Sequence, residues 1–331
     1  MHSKTHKSVF LARTPLQFLF CVEAQKHFKT VSNESNLVLL TDFSPSLVQI
    51  SNNLKESDWS SVHRVFNTIT KKNGFRALFQ KVLGLYKLFL LTIKYKNIDS
   101  LYIGHIDDVW MRFFIRRVNA KNIVLLEDGV ATLRIAARRI NSNFHQKFPV
   151  HPKAKGKGLL RNDIFEDVFL GDQKVVLPAV TFFTSYNNIK VKEPDKVEEN
   201  NFLFIKSQRA VNQTTSREVW FIGQPLVDRN LISKEEFMAL LNRVKELWGK
   251  DYNYFYIMHR SGKVPEYINE LGYNTLSFDN PLEVVFSLKE KIPEIVGSVN
   301  SAALINIRKI YSGENLKFFY CQLSNNFYSN R

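Results

Sequence analysis

Asn122-Ile123-Val124-Leu125-Leu126-Glu127-Asp128-Gly129 is the stretch on which the reading of the fold turns. Ile123 to Leu126 is a short, wholly apolar run, as a strand buried on both faces requires. Two carboxylates and a glycine follow without a spacer. In an open α/β sheet, ligands lie outside the carboxyl ends of the strands, so a strand ending in two acids presents them to a substrate. Gly129 permits a positive φ at the turn. The same residues would also serve to cap the next helix or to solvate a loop, and the stretch alone leaves both readings open.

Moving outward, the flanking pattern alternates strand and helix. Ser8–Ala12 reads as a first strand, and Thr14-Pro15 then opens a helix over Leu16–Lys29, with Thr14 as cap and Pro15 at the first helical position. Asn36–Thr41 is a second buried strand. A helix at Pro45–Leu54 and a short strand at Val62–Phe66 come next. Gly74–Lys96 has apolar residues at helical spacing and a polar, mostly basic set (Arg76, Gln80, Lys87, Lys94) on another face. It reads as a helix packed on the sheet or as an amphipathic helix at a membrane surface. Ser100–Gly104 is a strand followed by His105, Asp107 and Asp108, and a helix over Val109–Val118 leads back to the opening stretch. This repeated alternation predicts a mostly parallel sheet with helices on both faces.

From Ala131 to Asn200 the pattern weakens. Arg134, Arg138 and Arg139 fall on a helix after the acids, and Lys147–Arg161 reads as a basic loop with Pro149, Pro152, Gly156 and Gly158. Phe202–Ile205 looks strand-like. The domain boundary is expected between residues 190 and 218, and we assign domains 1–200 and 201–331. The second domain repeats the alternation. Glu218–Gly223 is a strand, and Ser233 with Glu236 forms a capping-box pattern before a helix to Trp248. Strands follow at Tyr252–Met258, Asn274–Phe278, Glu294–Val296 and Leu316–Leu323. Helices are expected at Pro265–Leu271, Pro281–Lys291 and Ala302–Ile310. The predicted fold is α/β, with two Rossmann-like domains facing a cleft.

Composition narrows the function classes. The chain has 331 residues, which suits two domains of roughly 150 residues each. Lys and Arg number 46 against 31 Asp and Glu, for a net charge of +15. Such a balance favours a polyanionic partner: nucleic acid, an anionic membrane or a phosphorylated substrate. The basic residues are dispersed and no nucleic-acid motif is present, so nucleic acid is not the expected partner. Cys21 and Cys321 sit far apart in apolar surroundings and read as two reduced core thiols. No ligand spacing for a metal is seen. Val9–Ala12 is too short for a signal sequence, and no uncharged apolar run reaches the ~18 residues of a membrane span. A cytoplasmic protein, peripheral on the inner membrane, is the expectation; a homo-oligomer is compatible with it.

Three strand ends carry candidate chemistry: Glu127-Asp128-Gly129, His259-Arg260 and Gly297–Ser301. Glycosyl transfer needs a base for the acceptor hydroxyl and positive charge or hydrogen-bond donors for a leaving phosphate. A carboxylate opposite a His-Arg pair and a serine turn at a helix start meets both needs. Taken singly, a histidine such as His259 is more often structural, and serines such as Ser298 and Ser301 are more often plain helix caps. There is no GxGxxG and no Walker motif. On periodicity alone, any protein with two Rossmann-like domains fits.

With these residues in place, the chain resembles the bacterial sialyltransferases of the GT-B type, in particular the lipooligosaccharide sialyltransferases and the related polysialyltransferases. Glu127-Asp128-Gly129 matches the acidic pair with glycine. His259 matches the histidine of a His-Pro motif, with Arg260 in place of proline. Asn300-Ser301-Ala302 lies where a serine pair is found, with Ser298 nearby. Thr14-Pro15-Leu16-Gln17, Phe221-Ile222-Gly223-Gln224-Pro225 and Asp279-Asn280-Pro281-Leu282-Glu283 add to the likeness. The resemblance implies an inverting, metal-independent reaction with no cofactor. The donor would be a CMP-nonulosonate and the acceptor a glycan or glycolipid, as in lipooligosaccharide or capsule synthesis. It makes residues 1–200 the acceptor side and 201–331 the nucleotide-sugar side. Asp128 would be the base, with Glu127 the second choice, and His259 would meet or protonate the donor phosphate. Arg260, Gly223, Glu283, Ser298, Asn300 and Ser301 would bind the donor. A GT-B transferase with another nucleotide sugar, and a non-enzymatic polyanion-binding protein, are the alternatives.

Overall fold

The computed structural model describes residues 7–41, 44–66, 75–141, 179–259, 265–299 and 301–323, with elements numbered among these. The expected Lys147–Arg161 loop, Arg260 and Asn300 lie outside the described residues. The chain divides into two compact units, Met1–Leu203 and Phe204–Arg331.

The first unit is built on seven strands: β1 (Ser8–Ala12), β2 (Ser35–Leu39), β3 (Ser61–Arg64), β4 (Asn97–Ile103), β5 (Asn119–Leu126), β6 (Thr181–Thr184) and β7 (Lys196–Glu199). They lie in the order β3-β2-β1-β4-β5-β6-β7, and every pair is parallel. Helices α1 (Pro15–His27), α2 (Ser44–Asn53), α3 (Phe75–Lys94), α4 (Val109–Ile115) and α5 (Val130–Asn141) are interspersed with them. The central strands β1 and β2 are buried along their whole length. That is why Val9–Ala12 and Leu37–Leu40 read as unbroken apolar runs rather than alternating ones. Helix α1 is buried almost all round, from Pro15 to Gln25, which its apolar composition on every side anticipates.

The second unit has β8 (Thr214–Ile222), β9 (Asn253–Ile257), β10 (Asn274–Leu276), β11 (Lys291–Ser298) and β12 (Lys317–Tyr320). Their order is β10-β9-β8-β11-β12, again all parallel. The helices are α6 (Leu203–Ser207), α7 (Lys234–Trp248), α8 (Tyr267–Glu270), α9 (Leu282–Leu288) and α10 (Ala302–Ile310). The capping box at α7 is present in full, with Ser233 accepting from Glu236 N and Glu236 accepting from Ser233 N. In both units the first strand sits between the second and the fourth. The order therefore reverses between β1 and β4, and again between β8 and β11. Ligands of such sheets lie at the carboxyl ends beside that reversal.

Three sequence expectations are corrected. Phe202–Ile205 is not a strand. Phe202 has φ 52°, its N–H donates to Asn200 Oδ1 at 2.9 Å, and α6 follows directly. A left-handed residue fixed by an Asn side chain is a turn and breaks a strand. Instead β6 and β7 occupy the stretch of weak pattern. The four residues of β7 are all exposed, so this edge strand carries no apolar signal. Strand β8 begins at Thr214 rather than Glu218, because its polar first residues still pair with Lys291–Pro293 of β11. Both cysteines are free, as expected, but only Cys21 is fully buried; Cys321 is half-buried.

Candidate active site

In the first unit, β5 runs between β4 and β6 and delivers Glu127 and Asp128 at its carboxyl end. The two acids part company at once. Glu127 is fully buried. Its Oε2 accepts from Thr184 Oγ1 at 2.8 Å, from Ser185 N at 2.6 Å and from Ser185 Oγ at 2.8 Å. All three donors stand at the end of β6, so the carboxylate clasps β5 to its neighbour. Asp128 turns the other way. Its N–H donates to Thr132 Oγ1 at 2.9 Å in the first turn of α5, and Gly129 takes φ 58° to make the corner. A side chain at Gly129 would strain that backbone. The Asp128 side chain keeps 22% of its surface in solvent, and its Oδ2 lies 3.7 Å from His105 Nε2.

His105 follows β4. Its Nδ1 accepts from Asp107 N at 3.2 Å, which puts the proton of the neutral ring on Nε2, the atom facing Asp128. Asp107 in turn pairs with Arg138 of α5. Asp108 caps α4 by accepting from Trp110 N and Met111 N, each at 3.0 Å, and its Oδ2 holds Arg13 Nη1 at 2.5 Å. Arg13 stands at the end of β1. Its N–H donates to Gln17 Oε1 at 2.9 Å, while Thr14 accepts from Gln17 N at 3.2 Å. Gln17 passes so close to Gly104 that a Cβ there would lie 2.6 Å from it. The Thr-Pro-Leu-Gln stretch is thus a helix start whose glutamine bonds back to the end of β1 and packs against the end of β4. Behind these groups, Arg139 and Asp195 form a buried two-bond pair at 2.5 and 2.6 Å, and Asp195 also accepts from Val180 N at 3.0 Å. This anchors α5 to the approach of β6.

The carboxyl ends of β1, β4 and β5 therefore gather Arg13, His105, Asp107, Asp108 and Asp128. Chemically this is a partly exposed carboxylate, Asp128, beside an imidazole that accepts from Asp107 N, with the ion pairs Arg13–Asp108 and Arg138–Asp107 on the neighbouring loops. It is the equipment of a general base with a group to orient it. His105 and Arg13 were not singled out from sequence. The rule behind the choice of Glu-Asp-Gly, that ligands lie beyond the carboxyl ends of such strands, applies equally to the residues after Ile103 and Ala12.

In the second unit, the ends of β9, β8 and β11 are level, with Ile222 opposite both Ile257 and Ser298. Gly223 continues β8 and donates from its N–H to Ile257 O at 2.9 Å; a Cβ there would lie 2.3 Å from the Tyr256 ring. His259 is half-buried and shares a small pocket with Gln224, Asp228 and Tyr267. Burial, together with Tyr267 and Asp228, pushes the Tyr256 phenol well up, so it stays protonated in that pocket. Ser301 occupies the N-cap position of α10, yet its side chain makes no capping bond. Ser298 is fully buried and donates to Ile222 O at 2.8 Å. Glu283 is buried at 3% and accepts from Asn306 Nδ2 at 2.8 Å, linking α9 to α10. The structure thus brings Gly223, His259 and Ser301 to one edge of the second sheet. It engages Ser298 and Glu283 inside the fold.

The sequence model of glycosyltransferase family 52 matches residues 51–312, well over half of the chain and most of both units. No individually curated protein is similar enough to be matched. The match removes the non-enzymatic polyanion-binding alternative. The chain belongs to glycosyltransferase family 52 and is a glycosyltransferase of the sialyltransferase-like kind.

Proposed function

We propose that the enzyme is an inverting, metal-independent transferase of the GT-B type, working in the cytoplasm. It moves sialic acid or a related nonulosonic acid from a CMP-sugar to a glycan or glycolipid acceptor. In this reading residues 1–200 serve the acceptor and residues 201–331 the donor. Asp128 takes the proton of the acceptor hydroxyl while the hydroxyl oxygen attacks the anomeric carbon. The bond from that carbon to the CMP phosphate breaks, and CMP leaves with the electron pair. His259 and Arg260 meet the charge on the departing phosphate. Asn300, Ser301 and the first amides of α10 add donors, as helix N-termini do for phosphate. Ser298 and Glu283 support these groups from behind rather than touching the donor.

The observation that carries the reading is the contrast between two adjacent acids. Asp128 keeps part of its side chain in solvent beside His105, whereas Glu127 is buried and held by three donors from the end of β6. A base must reach its proton directly or through one water. The test is transfer from CMP-sialic acid to a lipooligosaccharide-type acceptor in the presence of a metal chelator, with wild type and Asp128→Asn. Turnover in chelator that is lost in the variant supports the reading. Undiminished turnover by folded Asp128→Asn removes Asp128 as the base, and a requirement for added metal removes metal independence.

A further inference from the structure

Helix α3 has an inner face that is accounted for and an outer face that is not. Gly84, Leu88 and Thr92 point inward and are buried. Leu85 and Leu91 pack partly against the core. Gly84 presses on the Phe66 ring, where a Cβ would come within 2.2 Å. The opposite side is apolar as well. Phe79, Leu83, Tyr86, Phe89, Leu90 and Ile93 are all exposed, Tyr86 at 59%, Ile93 at 58% and Phe79 at 54%. At 3.6 residues per turn they fill an arc of about 120° over about 20 Å of helix axis. A helix on the surface of a soluble protein turns polar residues to that side. These side chains expose on the order of 600 Å², at the top of what soluble monomers carry, and patches of that size mark interaction sites.

Charge decides what covers the patch. Phe75–Lys94 contains four basic residues, Arg76, Lys81, Lys87 and Lys94, and no Asp or Glu. Lys87 and Lys94 are exposed, and their spacing of two turns sets them in one row along the border of the apolar arc. A second copy of this helix laid on the arc would bring lysines toward lysines, with no acid on either helix to pair them. An anionic bilayer satisfies both features. Its acyl region takes the apolar arc, and the lysine stems lie along it with their ammonium groups at the lipid phosphates. The net charge of +15 adds attraction at longer range. The helix lies on the membrane and does not cross it. Among the described residues no helix is long and apolar enough to span one.

We propose that the outer face of α3 is a docking surface for an anionic lipid bilayer. The proposal stands apart from the catalytic reading, because neither Asp128 nor the donor-side residues enter it. The test is co-sedimentation of the full chain with phosphatidylcholine vesicles, with and without about a third phosphatidylglycerol. Wild type is expected on the anionic vesicles and not on the neutral ones. Leu83→Glu with Ile93→Glu changes two exposed positions and should lower partitioning at least about tenfold. Lys87→Glu with Lys94→Glu should lower it about as much and flatten its dependence on salt. Should the first pair of substitutions prevent folding, Tyr86→Trp keeps the face apolar. Its added fluorescence should be quenched by bromine-labelled lipids beyond any quenching of the native tryptophans. Wild type that stays in solution overturns the proposal. So does binding that survives Leu83→Glu with Ile93→Glu, added fluorescence in the Tyr86→Trp variant that lipid leaves unquenched, or a lipid-indifferent dimer that the same pair converts to monomer.

Discussion

Glu127 is fully buried under three donors from the end of β6, whereas Asp128, one residue on, keeps 22% of its side chain in solvent beside His105. Their variants should differ accordingly. Glu127→Ala removes the carboxylate that accepts from Thr184 Oγ1, Ser185 N and Ser185 Oγ, and should cost roughly 2–4 kcal/mol of stability in chemical denaturation. Asp128→Asn should leave the melting temperature nearly unchanged while lowering kcat by roughly 10²–10⁴-fold, the usual contribution of a general base. The presence of two acids at a strand end was legible in the sequence. Which of them reaches solvent was not, because the answer lies with Thr184, 57 residues away, in a stretch whose strand was not recognised.

At the scale of elements, strands buried on both faces announced themselves and edge strands did not. Strand β1 is buried throughout and matches its expected span, Ser8–Ala12; β7 is exposed throughout and carried no signal. Close contacts between strands were equally hidden. A Cβ on Gly297 of β11 would lie 2.1 Å from the Phe319 ring of β12, so Gly297→Ala must displace that ring. We expect it to destabilise the second unit by about 1–3 kcal/mol, measured by urea unfolding. At the amino-terminal end of the first sheet, His63 Nε2 lies 2.9 Å from both Ser61 Oγ and Tyr95 Oη, tying β3 to the residue that follows α3. Burial first, and then Lys94, hold this imidazole below its ordinary 6.5. The unfolded chain therefore binds the proton more readily than the folded one. This contribution to stability is complete above about pH 6.5 and is lost as pH falls from there through the folded value. His63→Gln should make the loss of melting temperature between about pH 7.5 and 5.5 smaller than in wild type.

For the whole molecule, two α/β units with parallel sheets were anticipated by the alternation of strands and helices. The switch points were not, since periodicity reveals elements and not their neighbours in a sheet. Donor identity belongs to this scale, because it is read by the folded chain as a unit. A nucleotide bound only by the folded enzyme raises its stability by about 2.7 kcal/mol at a hundredfold excess over Kd. CMP should therefore raise the melting temperature, and UDP and GDP should not. Stabilisation by UDP alone would point to another nucleotide sugar.

The clasp made by Glu127 also has a historical reading. Position 127 is remote in the chain from 184 and 185, yet one carboxylate oxygen at 127 accepts from both of them. A lineage that lost the acid first would take the shared acceptor away from both hydroxyls. One that lost the hydroxyls first would carry a buried carboxylate short of donors. Drift at these sites should thus be concerted, and related chains without an acid at 127 should lack the hydroxyls at 184 and 185 as well.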